Sequence, residues 1–100
     1  MRQTGGDMET TLSEKVMVGN AMGLHARPAA QLVHIANKFK SSVSVCKADG
    51  SASADCRSVL ALLMLAASCG TELEVRASGV DAADAISEIS AYFQCKFGEQ

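Results

Sequence analysis

A glycine, a histidine, an arginine and a proline stand close together in the stretch GLHARPAA, residues 23–30. The glycine breaks a strand pattern and the proline suits the first turn of a helix, so we expect His25 where a helix begins. Unpaired N–H groups and partial positive charge attract anions there, and Arg27 offers a fork of donors for phosphate oxygens. A neutral imidazole is a nucleophile near neutral pH. The stretch indicates phosphoryl transfer through His25. The alternative is a loop histidine beside an ordinary surface arginine.

A second candidate site is Ser58, which precedes an unbroken apolar run over residues 59–67. Ser58 is a natural N-cap, and that role alone explains its presence. A short helix on a small domain has an outer face, so this run predicts an exposed apolar surface of the kind that binds partners. The alternative is a helix that is buried more deeply.

The elements that position these residues follow the order β-α-β-β-α-β-α. Each strand is apolar on one face only, which predicts an α+β fold with a largely antiparallel sheet and all helices on one side. Asp81 is the expected N-cap of the last helix. Residues 1–11 are expected to form a flexible tail before a domain of residues 12–100. The predicted strands cover residues 12–18, 42–46, 51–55 and 72–77, and the predicted helices residues 26–39, 58–68 and 82–97.

The composition of the chain argues against several classes of function. The chain has 100 residues, 48% of them hydrophobic, and a net charge of −2 without blocks of like charge. These values predict one globular domain, and they argue against nucleic-acid binding or a membrane surface. The longest apolar run is far shorter than the roughly 20 residues of a membrane span, and no export signal opens the chain. We therefore expect a cytoplasmic domain without membrane insertion.

Cysteine and histidine spacing gives no support for a metal site. The cysteines form no CxxC pair, so we expect free, buried thiols and neither metal nor cofactor. His34 has no partner at ligand spacing and is predicted to lie at the surface. Motifs of a self-sufficient hydrolase or kinase are absent from the sequence. The cysteines are Cys46, Cys56, Cys69 and Cys95.

The stretch of residues 23–30 resembles the active-site signature of the HPr family, the histidine-containing phosphocarriers of the bacterial phosphoenolpyruvate-dependent sugar phosphotransferase system. The resemblance runs from about residue 12 to residue 97, and it includes Arg57-Ser58 before an apolar helix and Gly70-Thr71 after it. It implies an HPr-like open-faced β-sandwich, in which a four-stranded antiparallel sheet carries three helices on one face.

The resemblance also implies a function. His25 would accept a phosphoryl group on Nδ1 from phospho-enzyme I and pass it to sugar-specific enzyme IIA proteins, while Arg27 contacts the phosphate. The protein would then be a monomeric carrier and a substrate of other phosphotransferases, not an enzyme. Ser58 matches the family's regulatory serine. This match implies two further partners, an HPr kinase/phosphorylase and a catabolite-control transcription factor. Expected partner contacts are Ala26, Ala30, Val59, Leu60 and Leu63.

One detail of this interpretation concerns the relative position of the two candidate sites. The resemblance leads us to expect that the helix starts at His25 and Ser58 adjoin.

Two other functions compete with the carrier. A regulatory protein modified at Ser58 would be expected to lose its active histidine, whereas this chain has both His25 and Arg27. A small ligand-binding α/β module would leave the stretch of residues 23–30 unexplained.

Overall fold

The computed structural model describes residues 10–99 and has the predicted order of strands and helices, with a short 3-10 turn after the last helix. The helices are amphipathic, and the strands alternate apolar and polar residues. The bounds are β1 Thr10–Met17, α1 Ala26–Ala36, β2 Ser42–Lys47, β3 Ser53–Asp55, α2 Val59–Met64, β4 Glu72–Gly79, α3 Ala82–Gln94 and the 3-10 turn Lys96–Gly98.

The four strands form one antiparallel sheet in the order β1-β4-β2-β3. One face of the sheet is apolar and lies in the core with Val16, Val43, Val45, Ala54, Leu73 and Val75. Helix α3 packs on β1 and β4, and α1 packs on α2 and α3. This arrangement confirms the expected open-faced sandwich, and its core holds the two helix starts in place.

Several boundaries differ from the sequence expectations. Thr10 and Thr11 fall in the predicted tail, but they extend β1 by pairing with Gly79 and Ser78. Residues 1–9 lie outside the described part of the chain. Strand β3 is shorter than residues 51–55 because the hairpin around Asp49-Gly50 takes up its first two residues.

All three helices end earlier than their apolar patterns suggest. Helix α3 stops at Gln94, three residues before its predicted end. Helix α1 stops at Ala36, and the guanidinium of Arg57 then donates to the carbonyls of Ala36, Phe39 and Ser41 at 3.2, 2.8 and 2.9 Å. Helix α2 stops at Met64 because Ala66 adopts the left-handed conformation, with φ of 52°. An apolar run cannot show where a backbone leaves the helical region.

Asp81 occupies the N-cap position of α3, but its side chain does not cap the helix among the described residues. Its carboxylate instead accepts from the Lys40 and Ser41 N–H groups, at 2.9 Å each, and from the Ser41 hydroxyl. These bonds, with the Ser41 hydroxyl first, lower the pKa of Asp81 to about 2. Asp81 therefore ties the α1–β2 connection to the start of α3.

The four cysteines are free thiols. The expectation that they are buried holds for Cys46 and Cys56 and is wrong for Cys69 and Cys95, which lie in exposed turns beyond the core. Burial raises the pKa of Cys56 to about 12.

Within residues 10–99, no helix is both long and apolar enough to cross a membrane. The same residues contain no cluster of His, Cys, Asp and Glu that could hold a metal ion.

Candidate functional site

His25 is the N-cap residue of α1, which confirms its predicted position at a helix start. Its backbone is extended, with φ of −92° and ψ of −170°, and its carbonyl accepts from the Ala29 N–H at 3.0 Å. The side chain is 25% exposed. The imidazole therefore lies at the surface, where a second protein can reach it.

The loop before His25 requires glycine at position 23. Gly23 has φ of +73°, and a Cβ atom there would lie 2.7 Å from the Ala67 carbonyl oxygen and 3.0 Å from Ser68 Cα. The next residue, Leu24, donates its N–H to the same Ala67 oxygen at 2.9 Å. The close backbone approach at Gly23 therefore anchors the histidine loop on the segment that follows α2.

Arg27 extends into solvent, with 77% of its side chain exposed. Its Nε lies 3.9 Å from the carboxylate of Glu99, which is too long for a hydrogen bond. The guanidinium thus makes no hydrogen bond to the part of the chain that the structure describes, and its donors face solvent beside the imidazole. His34 is also exposed, as predicted, but it lies in the last turn of α1, away from the helix start.

Two residues that sequence reasoning missed complete the surroundings of His25. Glu99 Oε2 lies 2.8 Å from His25 Nε2, and Glu99 Oε1 accepts from Asn20 Nδ2 at 2.8 Å. The bond from Asn20, followed by that from His25, lowers the pKa of Glu99, and the charge of Arg27 acts in the same direction. Asn20 is fully buried and also donates to the Gly23 carbonyl at 2.9 Å.

Ser58 is the N-cap of α2, as predicted. Its hydroxyl oxygen accepts from the Ala61 N–H at 3.1 Å. The outer side of this helix is apolar: Leu60, Leu63 and Met64 are 68%, 36% and 74% exposed, and we call them the α2 patch. Val59 is only half-buried, so it is a weaker candidate for partner contact.

Further exposed apolar side chains lie in the histidine loop and on α1. Met22 is 71% exposed in that loop, and Ala26 and Ala30 are exposed on α1. Met22 and Met64 were absent from the predicted partner contacts. A large apolar residue next to a glycine in a loop is the signal that could have revealed Met22.

The expectation that the two helix starts adjoin is wrong. Arg57, just before α2, bonds to the carbonyls at the end of α1, whereas the chain after α2 bonds to the loop before α1. Helix α2 therefore runs antiparallel to α1. The 11 residues of α1, at about 1.5 Å each, separate Ser58 from His25 by a helix length of roughly 16 Å.

Comparison with known proteins identifies the family of this arrangement. Residues 12–94 match the family described as the PTS HPr component phosphorylation site. The chain is 38% identical over 89 residues to phosphocarrier protein NPr of Proteus mirabilis, an alignment that covers 89% of this chain and 98% of the relative. It is also 38% identical over 85 residues to phosphocarrier protein HPr of Treponema pallidum, covering 85% of this chain and 94% of the relative.

The fold gives the same result. A crystal structure of HPr from Thermoanaerobacter tengcongensis superposes with a TM-score of 0.81 at 32% sequence identity, covering 89% of this chain and 98% of that one. Both the sequence and the structural matches extend over nearly the whole domain.

Proposed function

The chain belongs to the HPr family of phosphotransferase-system phosphocarrier proteins, and we propose that it carries phosphoryl groups on His25 from phospho-enzyme I to sugar-specific enzyme IIA proteins in the cytoplasm. The observation that carries the proposal is the imidazole at the start of α1, one quarter exposed, beside an extended Arg27. A ligand-binding module has no need of this combination.

The proposed step uses Nδ1 of His25 as the nucleophile. Its lone pair attacks phosphorus, a P–N bond forms, and the bond from phosphorus to the donor's leaving atom breaks, the electron pair staying with the donor. Arg27 contacts the phosphoryl oxygens and balances their charge. The same step in the opposite sense loads enzyme IIA. The carrier is thus regenerated by other proteins and acts as their substrate.

The proposed partner surface combines the α2 patch with Met22, Ala26 and Ala30. Each square ångström of apolar area that a partner covers contributes about 25 cal/mol. A standard interface of roughly 800 Å² per partner is about 30 Å across, so a footprint centred between the helices includes both His25 and Ser58.

We further propose Ser58 as a regulatory phosphorylation site, served by an HPr kinase/phosphorylase and read by a catabolite-control transcription factor. A phosphoserine adds about −1.5 to −2 charge. At Ser58 this charge would stand next to the α2 patch, where covering it with a partner's apolar surface is unfavourable unless a cation meets it. Its effect on enzyme I would therefore arise in docking, about a helix length from the reacting imidazole.

Incubation with phosphoenolpyruvate and enzyme I tests the carrier proposal. Intact-mass measurement should show the gain of one phosphoryl group. The group should be lost in acid and survive in base, because a phosphoramidate hydrolyses once its leaving nitrogen is protonated. An unchanged mass, or a phosphoryl group that survives acid, would exclude a phosphohistidine carrier.

The relatives support a second candidate, because several are named phosphocarrier protein NPr rather than HPr. In that case phosphotransferase partners other than sugar-specific enzyme IIA would take the phosphoryl group. Mixing the phosphorylated protein with a purified sugar-specific enzyme IIA separates the two. Transfer supports the first candidate, and retention of the group on a protein that enzyme I charges readily supports the second.

A further inference from the structure

Glu99 reaches back to the histidine site from the far end of α3. Its carboxylate is 12% exposed and has one oxygen on His25 Nε2 and the other on Asn20 Nδ2, each at 2.8 Å. The family match ends at residue 94 and so does not include Glu99.

The backbone takes an unfavourable route to place Glu99 there. Lys96 and Phe97 both have φ of 57°, in the left-handed region that non-glycine residues rarely adopt. Phe97 is buried and packs on Tyr92 and Phe93, with ring centroids 5.1 and 5.0 Å apart. Aromatic burial holds the turn, and the turn directs Glu99 toward the histidine loop.

The two bonds of the carboxylate have a chemical consequence for the imidazole. An ionised carboxylate only accepts hydrogen bonds, so the atom of His25 that meets it carries a hydrogen. In a neutral ring with hydrogen on Nε2, the lone pair is on Nδ1. The amide of Asn20 faces two acceptors, the Glu99 carboxylate and the Gly23 carbonyl, and its NH₂ group serves both.

We propose that Glu99 is a positioning residue for His25: its carboxylate, held by Asn20, fixes the imidazole with hydrogen on Nε2 and leaves Nδ1 as the nucleophile. This inference rests on the proposed phosphocarrier function and adds to it the group that selects the reacting nitrogen. Arg27 lies 3.9 Å from the same carboxylate. The carboxylate thus also provides a resting counter-charge for the guanidinium until phosphate arrives.

The isosteric variant Glu99→Gln tests the proposal without a change in side-chain volume. An amide has one acceptor oxygen where the carboxylate has two, so either His25 or Asn20 loses its acceptor. Glu88→Gln is the matched control, because Glu88 is a carboxylate on α3 that pairs with Lys38 at the surface, away from the histidine site. Both variants remove one negative charge.

Two readouts are needed. Imidazole ¹⁵N chemical shifts, measured in mildly alkaline buffer on histidine-labelled protein, report which ring nitrogen of His25 carries the hydrogen. Wild type and Glu88→Gln should give the Nε2–H tautomer, and Glu99→Gln a mixture or the opposite tautomer. The rate of phosphorylation by enzyme I at saturating carrier should fall about tenfold in Glu99→Gln, as expected for the loss of one charge-assisted hydrogen bond, and stay unchanged in Glu88→Gln.

The outcomes separate this inference from the proposed function. Unchanged His25 shifts in Glu99→Gln would overturn the positioning role, and so would altered shifts with an unaltered rate, while leaving the carrier function standing. A wild-type protein that accepts no phosphoryl group would overturn the carrier function itself, and the positioning role with it.

Discussion

Replacing Gly23 with alanine should destabilise the protein by more than the backbone conformation alone requires. A non-glycine residue at φ of +73° costs about 1–2 kcal/mol. The new Cβ would also lie 2.7 Å from the Ala67 oxygen and 3.0 Å from Ser68 Cα, both backbone atoms that cannot rotate away. Overpacking of this kind adds about 1–3 kcal/mol.

Gly50→Ala provides the matched control. Gly50 has φ of +80°, and nothing lies within 4 Å of the Cβ that alanine would add. This variant should therefore lose only the conformational part, about 1–2 kcal/mol. The difference between the variants, about 1–3 kcal/mol, corresponds to a Tm roughly 5–20 °C lower for Gly23→Ala, since each kcal/mol shifts Tm by about 4–8 °C in a domain of this size.

Thermal unfolding followed by circular dichroism measures the difference. Phosphorylation by enzyme I is assayed well below both Tm values and should be slower in Gly23→Ala only. In that variant the loop shifts and weakens the 2.9 Å hydrogen bond from the Leu24 N–H to the Ala67 carbonyl, and Leu24 is the residue before His25. Equal Tm losses in the two variants would refute the close approach at Gly23. Equal phosphorylation rates would refute the argument that this approach places the imidazole.

Three further predictions concern substitutions of Arg27, Ser58 and Asp81. Arg27→Ala should slow phosphoryl transfer by about one to two orders of magnitude and leave Tm unchanged, because the side chain is exposed; a large fall in Tm at unchanged transfer rate would reverse this assignment. Ser58→Asp should weaken enzyme I binding in a calorimetric titration, whereas Ser58→Ala should bind normally and lose about 1 kcal/mol of stability as a helix cap; equal affinity of folded Ser58→Asp and wild type would place the docking surface elsewhere. The pKa of Asp81 is lowered to about 2 from an ordinary 3.8, so its ionised carboxylate stabilises the folded state. This contribution is fully present at pH values above 3.8 and is lost as the pH falls toward 2. Denaturant unfolding in this window should therefore show a steeper acid loss for wild type than for Asp81→Asn, and parallel curves would contradict the bonds to Ser41.

Local patterns in the sequence were sufficient to predict the layers of the fold. The alternation around Val43 and Val45 and the spacing of apolar residues in α1 depend on which face of an element is buried. Ser58 could be assigned as a cap because capping is local. The open-faced topology itself came from the family resemblance, which the structure confirms.

Features that depend on distant contacts were missed. Helix α1 ends where Arg57 supplies donors from a later part of the chain, and no pattern within α1 shows this. Glu99 reaches His25 because the backbone of Lys96 and Phe97 adopts the left-handed conformation. The buried ring of Phe97 holds this turn by packing on Phe93. The antiparallel arrangement of α1 and α2 likewise depends on the bonds at their ends rather than on either helix.

Intact-mass measurement of two histidine variants tests the central claim most directly. The chain contains two histidines, one at the start of α1 and one exposed in its last turn. After incubation with phosphoenolpyruvate and enzyme I, wild type and His34→Ala should each gain one phosphoryl group, and His25→Ala should gain none. Equal phosphorylation of His25→Ala and wild type would contradict the account.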